Sequence, residues 1–370
     1  MKVCLSLLAL LGAAAVQLAA SSVTYDADLK NPWGMSFSAT SPIWVSNQGS
    51  NTSTLYTGDG TKLGLVVTVP PTTGIPTGPT GQVFSGGAGF TGSPFFIFDT
   101  LAGTIDAWGK TSGTTASVVA TTPGAIYTGL GIGAVSGSNF LYAANFVPGG
   151  GVDVYNTSFT MTGTLRDSSI PSGYSPFNSQ VIGGKLYVEY AKFNPSNGMA
   201  QMGAGLGYVA VYDLAKGTWS TLISGGQLNA PWGVTLAPKS FGAFSNDLLI
   251  GNFGNGEINA YSTTGVFLGT LSDGSGHPLV NPFLWAIEAG NNNPKANPSG
   301  VYFNAGIGNQ VYGLFGVITA SSTASATAAS TAGYLQTNLV TSAPEPAALG
   351  LMFVGGLLLA ARLGGRRKSS

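Results

Sequence analysis

The feature that most constrains the fold of this chain is a unit of four short apolar runs that recurs about every 40 to 50 residues. Four units open on a Pro-aromatic pair, at Asn31–Met35, Ala230–Val234, Ser175–Phe177 and Asn281–Phe283. This period is too long for one rung of a parallel β-helix and too regular for a β-sandwich. The repeat therefore predicts a ring of similar small sheets.

The runs after each opening are separated by polar turns and are rich in β-branched and aromatic residues, as strands are. The second runs are Ile43–Val45, Pro94–Phe98, Phe140–Ala143, Lys185–Val188, Leu248–Ile250 and Val301–Phe303. The third runs are Thr54–Tyr56, Thr104–Trp108, Gly151–Tyr155, Tyr208–Tyr212, Glu257–Tyr261 and Gln310–Leu314. The fourth runs are Thr61–Val69, Thr115–Thr121, Thr160–Leu165, Thr218–Ile223 and Val266–Leu271. The pattern predicts an all-β fold, a six-bladed β-propeller of four-stranded blades over residues 22–318.

The sixth unit ends near Ile318 and lacks a clear fourth run. The alternating segment Val23–Leu29 belongs to no unit, and we expect it to complete the last blade as its outer strand. That arrangement would close the ring and cover strand edges that an open array exposes. A parallel β-helix and a β-sandwich remain the structural alternatives.

The composition fits many short strands and excludes other classes of protein. Glycine accounts for 56 of 370 residues without a three-residue period, which excludes collagen. Charged residues make up 8% of the chain, and no basic stripe precedes the last residues, so we expect no nucleic-acid partner. Because residues 22–318 show no sustained 3.6-residue apolar period, we expect almost no helix there.

The first residues carry the pattern of a secretory signal peptide, assigned to residues 1–21. Lys2 precedes the apolar run Val3–Val16, and the small residues Ala19–Ser22 follow it. The single cysteine, Cys4, lies inside this segment. The mature protein would therefore contain no disulfide, no thiol nucleophile and no cysteine-based zinc site.

The last residues, 344–370, form a second targeting segment. Pro344, Glu345 and Pro346 precede the apolar run Ala347–Ala361, for which we expect one transmembrane helix. At about 1.5 Å per residue this helix is shorter than a ~30 Å hydrocarbon core. The positive-inside rule places the basic cluster after the helix in the cytoplasm. This cluster consists of Arg362, Arg366, Arg367 and Lys368.

This tail resembles the PEP-CTERM sorting signal. The resemblance implies recognition by exosortase, a membrane-embedded enzyme of Gram-negative bacteria that make extracellular polysaccharide. The protein would cross the inner membrane, stay in it through the C-terminal helix, and reach the cell surface or extracellular matrix after processing. A permanent, unprocessed anchor is the alternative. Residues 319–343, rich in Ala, Ser and Thr and without charge, predict a flexible linker.

The turns between second and third runs carry a further resemblance. In Val45–Asn51, Ile250–Asn255 and Phe303–Asn309, a polar residue ends the second run, and Gly and Asn follow. These segments resemble the strand–turn–strand signature of NHL-type propellers. The chain is also similar to a secreted bacterial propeller family of uncharacterised function. The resemblance covers residues 31–318 and implies the propeller fold.

Six polar residues would occupy equivalent positions near one mouth of the channel; they are Asn47, Asp99, Asn145, Glu189, Asn252 and Asn304. Oxygen ligands of this kind suit Ca²⁺. A resemblance to calcium-dependent lactonases on related propellers implies a metal site, whose ligands would be Asp99, Glu189, Asn47 and Asn252. The alternative is structural, because Asn and Asp favour hairpin turns.

Few other residues indicate chemistry. The single histidine, His277, lies beside Asp273 in a loop rich in Gly and Pro, and a structural loop is its simpler interpretation. The six tryptophans could stack on sugar rings, but core packing between blades is favoured. Trp108, beside Gly109 and Lys110 at a strand end, is the tryptophan whose exposure would test this preference.

Two functions follow from these patterns. The first is a non-enzymatic extracellular protein whose propeller binds a glycan such as exopolysaccharide, a protein or neighbouring copies. The second is a metal-dependent hydrolase or lyase that acts on a lactone or sugar derivative. The lack of a recognisable catalytic set favours the first.

Overall fold

Six antiparallel sheets surround a central channel in the computed structural model, which describes residues 23–71, 74, 76–87, 89–293, 295–321 and 333–343. Each sheet contains a four-stranded antiparallel meander, and two of the sheets carry one additional strand. The innermost strands of neighbouring blades contact each other all round the ring. The predicted all-β, six-bladed propeller with almost no helix is confirmed.

The strands are numbered in chain order and grouped by blade. The segment β1 (Thr24–Tyr25) precedes the first blade, which contains β2 (Pro32–Ser36), β3 (Ile43–Asn47), β4 (Thr52–Tyr56) and β5 (Lys62–Thr68). The second contains β6 (Gln82–Phe84), β7 (Phe96–Asp99), β8 (Thr104–Trp108) and β9 (Ser117–Thr121). The third contains β10 (Tyr127–Val135), β11 (Ser138–Asn145), β12 (Val152–Tyr155) and β13 (Met161–Leu165).

The other three blades follow in the same order. The fourth contains β14 (Tyr174–Ile182), β15 (Lys185–Asn194), β17 (Tyr208–Asp213) and β18 (Thr218–Ser224), with β16 (Met199–Gln201) added on β15. The fifth contains β19 (Pro231–Leu236), β20 (Leu248–Asn252), β21 (Ile258–Tyr261) and β22 (Phe267–Thr270). The sixth contains β23 (Leu284–Ala289), β24 (Val301–Ala305), β25 (Leu314–Ala320) and β26 (Tyr334–Thr341).

Helical structure in the described ranges is limited to short turns. These are the 3₁₀ turns Gln48–Ser50 and Gly242–Phe244 and the turn α1 (Ile307–Gln310). No helix in this part of the chain is long and apolar enough to cross a membrane. The predicted signal peptide (1–21), sorting motif and C-terminal helix Ala347–Ala361 lie outside the described residues.

Three predictions about the strands of the sixth blade are wrong. Its third strand is β25 rather than Gln310–Leu314, because α1 occupies the chain before it. Its fourth strand is β26, which lies within the predicted linker 319–343. The N-terminal β1 does not supply that fourth strand and instead pairs parallel outside β26, as a fifth strand. Strand pairing uses backbone hydrogen bonds, so β26 forms without an apolar run in its sequence. The side chains of Tyr334 and Val340 are nevertheless buried, which the polar composition of the segment did not indicate.

The N-terminal segment also locks the sixth blade to the first. The backbone N–H of Asp26 donates to Thr341 O at 2.9 Å. The Asp26 carboxylate accepts from the Tyr56 hydroxyl at 2.6 Å and from Lys62 Nζ at 2.8 Å, both in the first blade. The predicted role of this segment in ring closure is therefore correct, although its position in the blade was not.

The residues at the start of each innermost strand define one side of the ring, which we call the upper face. Because each blade is a meander, the connections from second to third strands also reach this face. Closely packed blades separate it from the opposite face. For example, Trp44 of the first blade stacks on Phe96 of the second with ring centroids 3.9 Å apart.

Candidate functional site

Four of the six polar residues predicted to line one mouth of the channel have a shared structural role. In four blades the side-chain oxygen accepts a backbone N–H near the start of the same blade's innermost strand. The pairs are Asp99 with Gly81 (2.6 Å), Asn145 with Ile126 (3.1 Å), Asn252 with Asn229 (3.1 Å) and Asn304 with Ala286 (2.9 Å). The pairing of first and second strands shifts register close to this point in the third, fifth and sixth blades. These residues therefore hold irregular backbone rather than forming hairpin turns through their own backbone.

The four predicted metal ligands belong to four different blades. Asn47 Nδ2 donates to Thr54 Oγ1 at 2.9 Å, and Asn252 Nδ2 donates to Gln227 O at 2.8 Å. Among the described residues no group of three or more His, Cys, Asp or Glu side chains is placed to hold a metal ion. A calcium site formed by Asp99, Glu189, Asn47 and Asn252 stays a prediction.

The two carboxyl groups of that set are fully buried. Asp99 accepts from Thr80 Oγ1 at 2.8 Å, and burial raises its pKa to about 7. Neither oxygen of Glu189 has a hydrogen-bond partner, and burial raises its pKa well above the usual range. Burial therefore favours the protonated form of both groups.

Three tryptophans block the channel near the upper face. Trp33 stacks on Trp285 with ring centroids 3.5 Å apart, and Trp232 meets both rings edge-on. Two residues before each tryptophan, the backbone is left-handed, with φ of 43° at Asn31, 46° at Ala230 and 55° at Phe283. The same local conformation in three adjacent blades thus presents the three indoles to one another.

Above this plug lies a cavity of about 360 Å³, which we call the upper-face pocket. Aromatic rings from five positions form most of its wall, and smaller apolar residues complete the rim. The rings belong to Trp33, Phe146, Phe177, Phe253 and Trp285, and the rim includes Leu101, Ile126, Met199 and Ala200. Ile126 and Met199 are exposed by 36% and 51%, so apolar surface faces solvent around the opening. Concave apolar sites with a few polar groups are typical of ligand binding.

Amide side chains supply the polar part of the upper-face pocket. Asn31 Nδ2 donates to Gln48 Oε1 at 2.8 Å and to Gln310 Oε1 at 3.3 Å, while Asn31 Oδ1 accepts from Trp285 Nε1 at 3.1 Å. Gln310 follows Gly308 and Asn309, and all three residues are left-handed. Non-glycine residues in that conformation store strain of about 1 kcal/mol or more each, and such strain often accompanies a functional site.

A second cavity of about 200 Å³ lies in the channel below the plug. Among the described residues that line it, the one ionisable residue is Glu288, whose Oε2 accepts from Gln180 Nε2 at 2.9 Å. Burial raises the pKa of Glu288 to about 7. Trp232 lines this cavity, whereas Trp33 and Trp285 line the upper-face pocket, so the plug separates the two spaces.

The remaining sequence candidates lie elsewhere. The His277 side chain is 80% exposed and its Nδ1 lies 3.4 Å from Asp273 Oδ2 in a surface loop. Trp108 is buried rather than exposed, because it packs near Trp44 and donates to Gly113 O at 3.0 Å. The favoured role of the tryptophans in packing therefore fits Trp108.

Sequence reasoning missed the upper-face pocket, although a signal was present. Phe146 and Phe253 each follow directly on the asparagine that ends a second strand, Asn145 and Asn252. Because that asparagine bonds the start of the innermost strand, the next side chain points to the channel mouth. An Asn-Phe pair at the end of the second strand in two blades, the third and the fifth, indicates such a pocket.

No protein-family model matches the chain. It is 29% identical over 311 residues to an uncharacterised protein of Acanthamoeba polyphaga mimivirus, covering 79% of this chain and 76% of that protein. It is 28% identical over 310 residues to a second uncharacterised protein of this virus, covering 79% and 80%. These relatives show that the chain has counterparts in a giant virus, and their names assign no function.

Among solved structures the chain resembles virginiamycin B lyase from Staphylococcus aureus, with a TM-score of 0.47, 13% identity, and coverage of 78% of this chain and 81% of that one. It also resembles a gluconolactonase from Xanthomonas campestris, with a TM-score of 0.47, 12% identity, and coverage of 79% and 81%. Similarity at this level supports no argument about activity.

Proposed function

We propose that this protein is a non-enzymatic binding protein whose upper-face pocket takes an uncharged ligand with an apolar face. The observation that carries the proposal is the chemistry of the pocket wall, which consists of aromatic and aliphatic side chains, glycine, one threonine and three amides. A charged ligand would lose its hydration in such a pocket without gaining an ion pair. An uncharged ring or chain would bury apolar surface and keep the amides as partners for its polar edge.

The same wall argues against acid–base chemistry at this pocket. General acids and bases must reach the reacting group within hydrogen-bond distance. No His, Asp, Glu, Lys, Cys or Tyr is among the described residues that line the pocket. A metal-dependent hydrolase would need the predicted ligand set Asp99, Glu189, Asn47 and Asn252, and one oxygen of Asp99 and the amide oxygen of Asn252 already accept from backbone N–H groups.

The setting of this binding function is part of the proposal and rests on the sequence. The patterns of residues 1–21 and 344–370 support export through the inner membrane and sorting by exosortase. The protein would then act at the cell surface or in an extracellular matrix, where exopolysaccharide is a candidate partner.

Binding can be measured with N-phenyl-1-naphthylamine, an uncharged apolar fluorophore. We expect saturable binding of one probe per chain, with energy transfer from Trp33 and Trp285 because both line the pocket. The variant Met199→Glu places a charge at the exposed rim and should weaken binding at least tenfold, which is about 1.4 kcal/mol.

The matched control is Met161→Glu, on an outer strand of the third blade, where the methionine is 40% exposed and lines no described cavity. This variant should bind the probe as the unmodified chain does. Probe binding that is absent, or that both variants weaken equally, would refute the proposal.

A further inference from the structure

Below the tryptophan plug the channel contains the cavity of about 200 Å³ that has Glu288 in its wall, which we call the channel cavity. The innermost strands of all six blades contribute to this wall. Trp232, at the plug, is buried, whereas Phe37, Ile132, Val181 and Glu288, towards the other end of these strands, are partly exposed. The channel cavity is therefore closed towards the upper face and open towards the opposite face.

The wall of the channel cavity combines apolar side chains with polar ones that already bond protein groups. Apolar residues such as Val83, together with glycine, make up most of the lining residues. Asn178 and Ser179 each donate to a backbone carbonyl at 2.7 Å, and Gln82 Oε1 accepts from a serine hydroxyl at 2.9 Å. The Ser36 hydroxyl is enclosed by protein atoms. These four polar side chains therefore offer little to a ligand.

One glutamate–glutamine pair supplies an accessible polar group. Glu288 Oε2 accepts from Gln180 Nε2 at 2.9 Å, and both side chains line the channel cavity. Glu288 Oε1 has no hydrogen-bond partner among the described residues, and it is not one of the enclosed atoms, so it faces the open space. Gln180 thus holds the carboxyl group in place through one oxygen and leaves the other free for a ligand.

No positive charge balances the Glu288 carboxylate within the described part of the chain. None of the ion pairs there includes Glu288, and no Lys, Arg or His lines the channel cavity. Burial without a counter-charge raises the pKa of Glu288 to about 7, because the ionised form is poorly solvated. A bound cation would supply the missing charge, and it attracts the carboxylate more strongly in this partly desolvated space than in water.

The chemistry of the wall selects among possible cations. Calcium takes about 6–8 oxygen ligands, and Glu288 is the one ionisable residue among the described residues of the wall, so a metal ion fits poorly. An organic ammonium ion needs one carboxylate oxygen for its charge and apolar surface for its body. An apolar cavity of about 150 Å³ accommodates a benzene ring, so the channel cavity has room for one small ring or a short chain.

We propose that the channel cavity binds a small organic ammonium ion, a primary amine carried on one apolar ring or short chain. The ammonium group donates to Glu288 Oε1, and the apolar body packs against side chains such as Val83, Leu130 and Ile287. The ligand enters from the face opposite the upper-face pocket. This inference goes beyond the proposed function and uses residues independent of that pocket.

The test is calorimetric titration of the full chain at pH 8 with benzylamine, cyclohexylamine and n-butylamine. At this pH the amines are protonated and Glu288 is largely ionised. We expect at least one amine to bind at one site per chain, and the corresponding alcohol, which has no charge, not to compete with it. The variant Glu288→Gln should weaken binding at least tenfold. Its melting temperature should be unchanged or higher, because it removes a carboxyl group whose ionisation is disfavoured by burial.

Glu257→Gln is the matched control. Glu257 is also partly buried and its Oε2 accepts from an amide, Asn255 Nδ2, at 2.8 Å, but it lines neither the channel cavity nor the upper-face pocket. This variant should bind the amine as the unmodified chain does. In addition, Glu288→Gln should bind N-phenyl-1-naphthylamine normally, which separates this site from the upper-face pocket.

Three results would overturn the inference. The first is that none of the three amines binds. The second is that the alcohol displaces its amine as effectively as the amine itself does, since the carboxylate would then contribute nothing. The third is that Glu288→Gln and Glu257→Gln bind the amine with the same affinity.

Discussion

Trp33 and Trp285 stack face to face across the joint between the first and sixth blades, with ring centroids 3.5 Å apart and ring planes inclined by 19°. The two residues come from opposite ends of the repeat array, so this stack closes the ring at its centre. The pairing of β1 with β26 closes it at the outer edge. The same stack forms the floor of the upper-face pocket, so ring closure and the candidate site depend on the same residues.

Trp33→Ala should destabilise the protein by about 3–5 kcal/mol, because it removes a large buried ring and leaves a cavity. Urea unfolding measures the loss. Trp219→Ala is the control, since Trp219 is only partly buried and its described ring contact is with Tyr212 of its own blade. A loss for Trp219→Ala as large as that for Trp33→Ala would contradict a central role for the stack.

Gly129→Ala should destabilise the protein by more than about 1–3 kcal/mol, the usual cost of overpacking a core. A Cβ at Gly129 would lie 2.1 Å from Asn178 Oδ1 and 2.7 Å from Asn178 Cα, where the third and fourth blades meet. The matched control is Gly163→Ala, because nothing lies within 4 Å of a Cβ at Gly163. If thermal unfolding shows equal effects for the two variants, the inner strands are not as closely packed as described.

The stability of the protein should fall as the pH rises from about 4.5 to 7. Burial raises the pKa of Asp99, Asp106 and Glu288 to about 7 and that of Glu189 well above its ordinary value. Below the ordinary pKa values, 3.8 for Asp and 4.5 for Glu, these groups are protonated in both the folded and the unfolded chain, so they do not change the free energy of unfolding. Between those values and the raised ones, only the unfolded chain ionises, so each group removes about 1.4 kcal/mol per pH unit.

The variant Glu189→Gln should make the fall of the free energy of unfolding with pH less steep, by the amount that one carboxyl group contributes. The free energy of unfolding, measured in urea at pH 5, 6 and 7, gives the slope. Asp213→Asn is the control, because hydrogen bonds from the Lys216 and Ala215 backbone lower the pKa of that partly exposed carboxyl. The lowered pKa of Asp213 stabilises the fold to its full extent once the pH is above the ordinary pKa of 3.8. Removing the Asp213 carboxyl should therefore leave the slope from pH 5 to 7 unchanged. A Glu189→Gln slope identical to that of the unmodified chain would mean that Glu189 is ionised in the fold.

Calcium binding tests the alternative function. Because Asp99 and Asn252 already hold the starts of their blades' innermost strands, we expect millimolar Ca²⁺ or EDTA to leave the melting temperature unchanged. A site filled at 100 times its dissociation constant would add about 2.7 kcal/mol of stability. A rise that Asp99→Asn abolishes and Asp213→Asn preserves would contradict this expectation and establish the metal site.

The sequence predicted the sixth blade less well than the others. Strands such as Ile43–Asn47 and Leu248–Asn252 were evident because runs of apolar residues lie between polar turns. In contrast, β26 reads as low complexity, and only its pairing with β25 makes it a strand. Similarly, the sequence identified Asn252 as a polar residue at the end of a strand. That its side chain accepts from the Asn229 backbone N–H could be seen only in the folded structure.

The amino-acid sequence by itself determined the number of blades, the succession of strands in the blades before the sixth and the near absence of helix. These follow from local alternation and turn residues, which act between neighbours in the chain. Only the tertiary structure decided how the ring closes, which aromatic rings meet in the channel and where cavities remain. Those features depend on contacts between residues from distant blades, such as Trp33 with Trp285 and Asp26 with Tyr56, and local patterns do not specify them.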